Sequence, residues 1–373
     1  MRPRYRMLAT ALLLCATLNA QQDPPIPPGS HFVEREFAIP VPDSGPSGLD
    51  VLEVYITTPG KHPLALLTHG TSAVPEERKQ LTPWAQLSQA LWFARRGYVA
   101  LVIIRRGYGR SGGAEDGAKN PCRSRVSFYE VGENSADDLR NVAAYAEKYL
   151  PEVDVSTIVS AGVSTGGFAQ VALVANPPPG LKAAISFAGG RGGDGKGDLC
   201  DENGLIDGFK QFGKHAHLPM LWIYSENDKW FPPPYAKKFE AAYQKGGGTD
   251  EFVLAPPDGE DGHHLYGHVA AWAPIVEPFL HEHQLLPLPV PYAEPDPPDV
   301  TAPAGLSKGG LEGFRNFLIL GPRKAFATNG MSAWGSSVGQ FTQELADQHA
   351  LANCEKKRHD GPPCIVVMRN PVK

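Results

Sequence analysis

The stretch Ile158-Val159-Ser160-Ala161-Gly162-Val163-Ser164-Thr165-Gly166-Gly167-Phe168-Ala169-Gln170 constrains this chain more than any other, because it runs from an apolar strand through a tight turn into a helix. Its turn reads Gly-x-Ser-x-Gly. A nucleophilic serine needs this spacing: it sits in a strained strand-to-helix bend, where Gly162 and Gly166 let neighbouring backbone pass without a Cβ clash. The bend lifts Ser164 Oγ clear of the sheet edge and aims the Thr165 N–H, with the positive end of the following helix, at any oxyanion that forms there. The same spacing occurs twice more in a chain that holds 40 glycines. Gly109-Arg110-Ser111-Gly112-Gly113 follows a strand but runs into Gly, Asn and Pro up to Pro121, so no helix begins there. Gly335-Ser336-Ser337-Val338-Gly339 leaves about 35 residues after it, too few to carry both an acid and a base.

Around that stretch, strands and helices alternate. Residues 32–40 and 50–58 alternate apolar with polar, the mark of half-exposed strands, and are expected to form an antiparallel edge hairpin. Continuous apolar runs follow at 63–68, 98–104, 155–160, 181–187, 218–224 and 251–255, as buried parallel strands require. Helical spacing is found at 85–96, from Ser135 (an N-cap with Asp137 and Asp138 in its first turn) to Leu150, at 235–245, and after the last run to about His281. This order predicts a mostly parallel sheet with helices on both faces. Residues 188–204 read as a glycine-rich insert.

A serine hydroxyl attacks only when a base takes its proton, and the base needs a carboxylate to fix its tautomer. Both must lie on later strand ends, in the order Ser, then Asp or Glu, then His. Asp228, just past the run 218–224, is the expected acid, with Glu226 as the alternative. His263, directly after Gly262, is the expected base, with His264 and His268 as alternatives. The backbone N–H groups of Thr165 and Thr71, the latter after His69-Gly70, are the expected oxyanion donors. Trp230, Phe231, Leu265 and Tyr266 flank the acid and base in sequence, as a pocket wall or as core. The cluster of His263, His264, His268, Asp258, Glu260 and Asp261 lacks the fixed spacing a metal site uses, so no metal and no cofactor are expected.

Arg2, Arg4 and Arg6 precede the apolar run Met7–Leu14 and a polar break at Asn19-Ala20-Gln21, the layout of a signal peptide over residues 1–20. The run is too short to span a bilayer, and the bulky Leu14 before Cys15 argues against lipidation there. Cleavage near Ala20 leaves 32 of the 35 basic residues against 40 acidic ones, moving the net charge from −5 to about −8 and arguing against a nucleic-acid partner. Four cysteines then remain, an even number suited to disulfides in a secreted or periplasmic protein. Proximity pairs Cys354 with Cys364, which leaves Cys122 with Cys200. Residues 286–303 are proline-packed, a stiff linker or a chain lying over the surface. Beyond it, residues 304–373 are expected to form a small strand-helix-strand module with strands at 324–328 and 364–368 and a helix at 340–354.

From about residue 32 to 283 the chain resembles the α/β-hydrolase superfamily, through His69-Gly70, Arg106-Gly107-Tyr108-Gly109, Gly162-Val163-Ser164-Thr165-Gly166, Asn227-Asp228 and Gly262-His263 in that order. Within it the chain is most similar to the secreted dienelactone-hydrolase-like branch, whose Asp-Gly-His loop matches Asp261-Gly262-His263; true dienelactone hydrolases have a cysteine where this chain has Ser164. The resemblance implies an α/β-hydrolase domain over residues 21–285 and hydrolysis of small-molecule carboxylic esters through an acyl-enzyme, with no stable membrane insertion. A peptidase using the same three residues, and a non-catalytic binding protein on the same scaffold, are the competing expectations.

Overall fold

The computed structural model describes residues 23–115, 122 and 127–370. The expected signal segment 1–20, with Cys15, lies outside them. Eight strands build one sheet: β1 (Phe32–Ile39), β2 (Leu49–Ile56), β3 (His62–Thr68), β4 (Val99–Ile103), β5 (Val153–Val163), β6 (Leu181–Phe187), β7 (Met220–Ser225) and β8 (Glu251–Ala255). Their order is β1-β2-β4-β3-β5-β6-β7-β8. Neighbours from β4 to β8 pair in parallel, and only β2 runs against its neighbours. This is the α/β-hydrolase architecture, a mostly parallel sheet with helices on both faces.

The apolar runs follow from burial on two sides. Because successive side chains point to opposite faces, Leu64, Leu66, Val99, Leu101, Trp222 and Tyr224 enter one core, while Ala65, Leu67, Ala100, Val102, Leu221 and Ile223 enter the other. The first core is closed by α3 (Phe128–Tyr149), α4 (Thr165–Ala175), α5 (Glu202–Gly213) and α6 (Pro233–Gly246); the second by α2 (Leu87–Ala94) and α7 (Val269–Glu282), with a short α1 (Pro75–Lys79) preceding α2. Phe168, on the helix that begins at the elbow, is fully buried with its ring centroid 4.9 Å from that of Phe209 and 5.5 Å from that of Phe212.

Several expectations are corrected. The pair at 32–40 and 50–58 forms the expected antiparallel hairpin at the sheet edge, but only β1 is half-exposed: β2 also pairs with β4, and nearly all its residues are buried. Helix α3 starts at Phe128, capped by the Ser127 hydroxyl accepting from Glu130 N–H; Ser135 is interior and donates to Val131 O. The helix expected from Ala85 begins as a 3₁₀ turn at Pro83–Gln86. His268 precedes α7 rather than lying within it.

After a linker that runs along the surface, with Tyr292 N–H donating to Arg95 O, the carboxyl-terminal residues hold more than a strand-helix-strand unit. They comprise α8 (Lys308–Ile319), β9 (Ala325–Thr328), β10 (Trp334–Ser337), α9 (Gln343–Glu355) and β11 (Ile365–Met368), with an antiparallel sheet in the order β10-β9-β11. Ala325 and Ala327 pack under α9, and Phe326 under α8, so β9 is covered on both faces. Cys354 and Cys364 pair across the module, Cα atoms 6.1 Å apart, and Cys122 pairs with Cys200 at 5.5 Å. The module sits on the 3₁₀ turn before α2 and on β1: Thr82 Oγ1 donates to Gly339 O at 2.5 Å, Arg323 reaches Glu36 at 3.3 Å, and Arg110 lies over Phe341 at 4.3 Å.

Two carboxyls on β2 are buried beyond the reach of full solvation. Burial first, then the neighbouring Glu36 carboxylate, pushes Asp50 up to about 7; burial first, then Glu152, pushes Glu53 up to about 8 although Arg35 lies across the ladder from it. A raised folded-state value means that the folded protein holds the proton more tightly, so stability is full below the ordinary carboxylate range and is lost as pH rises toward 7. Asp50→Asn is therefore expected to be more stable than the parent at pH 8 and to lose that advantage at pH 4, in urea titrations at the two pH values. Phe168→Ala, which empties the centre of the aromatic cluster, is expected to cost about 3–5 kcal/mol in the same titration.

Candidate active site

The elbow is built by close approach. Ser164 adopts φ 56° and ψ −119°, a conformation that costs a non-glycine residue about 1–3 kcal/mol and persists only where the surroundings enforce it. The surroundings here are backbone: Ser164 N–H donates to Phe187 O at 2.9 Å, and Ser164 O accepts from Phe168 N–H at 2.9 Å and Gly190 N–H at 3.1 Å. A Cβ on Gly162 would overlap the Gly166 carbonyl, and one on Gly166 would overlap the His69 carbonyl, so both glycines are required by contact. Gly70 approaches from the other side; a Cβ there would lie 3.0 Å from Ser164 Cβ. The two decoys lack this geometry. Ser111 Oγ is spent structurally, donating to Ile104 O and accepting from Asp50 N–H, and Ser337 lies within β10.

Asp228 lies on the loop after β7, almost wholly buried, and His263 opens the 3₁₀ turn that follows β8. The two meet: His263 Nδ1 is 3.1 Å from each Asp228 carboxylate oxygen. Asp228 Oδ1 also accepts from the N–H groups of Trp230 and Phe231, at 2.8 and 2.9 Å, which fixes the carboxylate. Asp261 caps the turn by accepting from His263 N–H at 3.0 Å, and it accepts from Lys229 N–H as well, tying the two loops together. Asn227 reinforces the tie through Asp258 N–H at 3.0 Å. A Cβ on Gly262 would collide with Ser225 and Asn227, which explains the glycine before the histidine.

The alternatives are not in position. His264 is exposed; His268 is exposed and held by Asp258 at 2.5 Å; Glu226 is exposed on the far side of the turn residue Asn227. Ser164 Oγ and the His263 ring make no hydrogen bond with each other among the described residues, as is common in free enzymes, where such bonds tighten only with substrate bound. The link between them is the wall they share: Gly190, bonded to Ser164 O, lies against the Phe231 ring, whose centroid is 5.5 Å from that of His263. Trp230 also stacks on the imidazole at 5.4 Å, whereas Leu265 and Tyr266 belong to the core. Burial raises the Tyr224 phenol far above its ordinary range, and Asp228 adds to the shift, so Tyr224 stays neutral and donates to Gly189 O at 2.5 Å, holding the glycine-rich loop beside Ser164.

Thr71 and Thr165 are brought together, with their hydroxyl oxygens 2.8 Å apart. Thr165 is the first residue of α4, and neither its N–H nor that of Thr71 donates to a protein acceptor among the described residues. Behind them stands Arg105, fully buried, donating to Thr165 Oγ1 at 2.9 Å and Thr68 Oγ1 at 2.9 Å, while Tyr108 OH lies 2.8 Å from Thr71 Oγ1. Sequence reasoning did not single out Arg105; its one signal was a cation at the end of an otherwise apolar strand. A cavity of about 890 Å³ between α2, α7 and α8 is lined by opposed charges such as Arg96 and Glu277, and Ser164, Asp228 and His263 do not line it. Ser164, Asp228 and His263 follow the ends of β5, β7 and β8, on one edge of the parallel sheet.

Solved structures share this architecture at low identity. A protein from Klebsiella pneumoniae assigned as a dienelactone hydrolase is 18% identical over 67% of this chain and 98% of its own, with a TM-score of 0.47. Acetyl xylan esterase 1 from Thermoanaerobacterium sp. is 17% identical over 68% of this chain and 87% of its own, at 0.46. The acylaminoacyl peptidase of Pyrococcus horikoshii is 17% identical over 70% of this chain but only 42% of its own, also at 0.46. No curated protein matches the sequence. The elbow, strands β2 to β5 and the Asp228 loop all fall within residues 47–247, the span over which the sequence matches the X-Pro dipeptidyl-peptidase family, and since that span is more than half of the protein, the chain belongs to this S15 hydrolase family.

Proposed function

We propose that this protein is an exported, serine-dependent hydrolase of carboxylic esters that works through an acyl-enzyme on Ser164. The observation that carries the reading is the strained elbow serine linked, through Gly190 and the Phe231 ring, to a buried imidazole whose Nδ1 is clamped by a fixed carboxylate. Asp228 accepts the Nδ1 proton, which leaves Nε2 of His263 free to act as base. Ser164 Oγ attacks the ester carbonyl while His263 takes its proton; the oxyanion is held by the N–H groups of Thr71 and Thr165; the alcohol leaves with the proton from His263; and water repeats the sequence to release the acid. The imidazolium formed on the way is stabilised by Asp228 and packs against the Trp230 and Phe231 rings. The Asp261-Gly262-His263 loop and the lesser demand that an alkoxide leaving group makes on the acid favour esters. Export is supported by the two cysteine pairs, which persist in oxidising compartments.

Membership of a family named for X-Pro dipeptide release favours a second reading, cleavage of short peptides by the same three residues. A panel of short p-nitrophenyl esters set against X-Pro p-nitroanilides decides between the two by relative kcat/KM. In either case Ser164→Ala is expected to lower kcat by about 10⁴-fold or more with an unchanged melting temperature, and unchanged turnover would remove Ser164 from the reaction. Asp228→Asn, which keeps the shape but reverses the Nδ1 hydrogen bond, is expected to lower kcat by about 10³- to 10⁴-fold in the same assay.

A further inference from the structure

The oxyanion donors proposed above are backbone groups, and something must aim them. The Thr71 N–H lies in a loop between β3 and α1, where no helix fixes its direction. The direction of a peptide N–H is nevertheless set by its own carbonyl, because a trans peptide is planar and holds the two antiparallel. No peptide bond described here is cis. Whatever grips the Gly70 carbonyl therefore aims the Thr71 N–H.

The group that grips it is His69. Arg105 N–H lies 3.0 Å from His69 Nε2, and His69 Nδ1 lies 2.6 Å from Gly70 O. A backbone N–H can only donate, so Nε2 is the acceptor, the imidazole proton sits on Nδ1, and that proton is given to Gly70 O. The ring is itself fixed: it is 3% exposed, and the edge of Tyr108 packs on it with centroids 4.8 Å apart. The preceding carbonyl is tethered too, since Arg105 donates to His69 O at 2.5 Å. The peptide so held is the one beside the serine, because Gly70 is the residue that abuts Ser164.

We infer that His69 is a positioning residue for hydrolysis: its Nδ1–H tautomer, dictated by the main chain of Arg105, locks the Gly70–Thr71 peptide with its N–H turned away from the ring and toward the oxyanion. The inference rests on the Ser164 reading. The His69 ring contacts named above are to the main chain and to Tyr108, so its loss should weaken the transition state while leaving ground-state binding alone.

Two substitutions divide the ring's functions. His69→Gln retains an acceptor near the Nε2 position for Arg105 N–H and loses the donor to Gly70 O; His69→Asn retains a donor near the Nδ1 position and loses the acceptor. For the preferred p-nitrophenyl ester, His69→Gln is expected to lower kcat by about 10- to 100-fold with KM within about 2-fold, and to weaken a trifluoromethyl ketone, which binds as a tetrahedral oxyanion, by the same factor. His69→Asn is expected to stay within about 3-fold of the parent. In the parent protein, nitrogen-15 NMR of the His69 ring should show a protonated Nδ1 and an unprotonated Nε2. The opposite tautomer, equal losses in the two variants, a change in KM instead of kcat, or full kcat in His69→Gln each overturns the inference. A parent protein that a fluorophosphonate labels at Ser164, with His69→Gln at full kcat, removes this inference alone; failure of that labelling removes the Ser164 reading and this inference with it.

Discussion

The structure depends on backbone meeting backbone at one point. Ser164 is held in a left-handed conformation because Gly162 and Gly166 admit carbonyls from the elbow and from the end of β3 that any side chain would repel. The cost of that conformation is met by burial of β3, β5 and β6 on both faces, where the interior is close-packed and does not yield. The edge hairpin, the six flanking helices and the core aromatics contribute to chemistry only by keeping that point rigid.

Asp228 and His263 are placed by a different device. They stand on loops, which are the mobile parts of most folds, yet here each loop is stitched to the other. Across the ends of β7 and β8, Asn227 accepts from Asp258 N–H and Asp261 accepts from Lys229 N–H, and Asp228 collects two main-chain N–H groups before it meets the imidazole. Charged acceptors bound by several N–H donors are preorganised, so little rearrangement is needed when charge develops on the ring. The Arg105 cluster does the same on the opposite wall, with a buried cation organising hydroxyls and carbonyls rather than touching a reactant.

Much of this was legible in the sequence because the signals are local. The Gly-x-Ser-x-Gly spacing states its own geometry, and the apolar runs of a two-sided sheet cannot be mistaken for amphipathic surface strands. What was not legible depends on contact at a distance. His263 and His264 differ in sequence by one position; which one faces Asp228 is decided by the Asp261 cap and the Trp230 stack. Ser127 and Ser135 are both good N-caps, and only the burial of Phe128 and Val131 places the start at the first. Helices α5 and α8 were missed because they contain glycines that lower helix propensity. Those glycines answer to packing: Gly208 fits against Phe128, and Gly313 admits the Trp334 ring.

The bond between Cys122 and Cys200 joins residues 78 positions apart, and everything between them, α3, β5, the elbow, α4 and β6, lies inside the covalent ring so formed. Tension applied to the two ends of the oxidised chain has a covalent path through the sulfur bridge that bypasses the segment carrying Ser164. The strained turn at Ser164 is thereby spared covalent extension, and a protease that nicks the ring once cannot release the serine from the remainder of the chain.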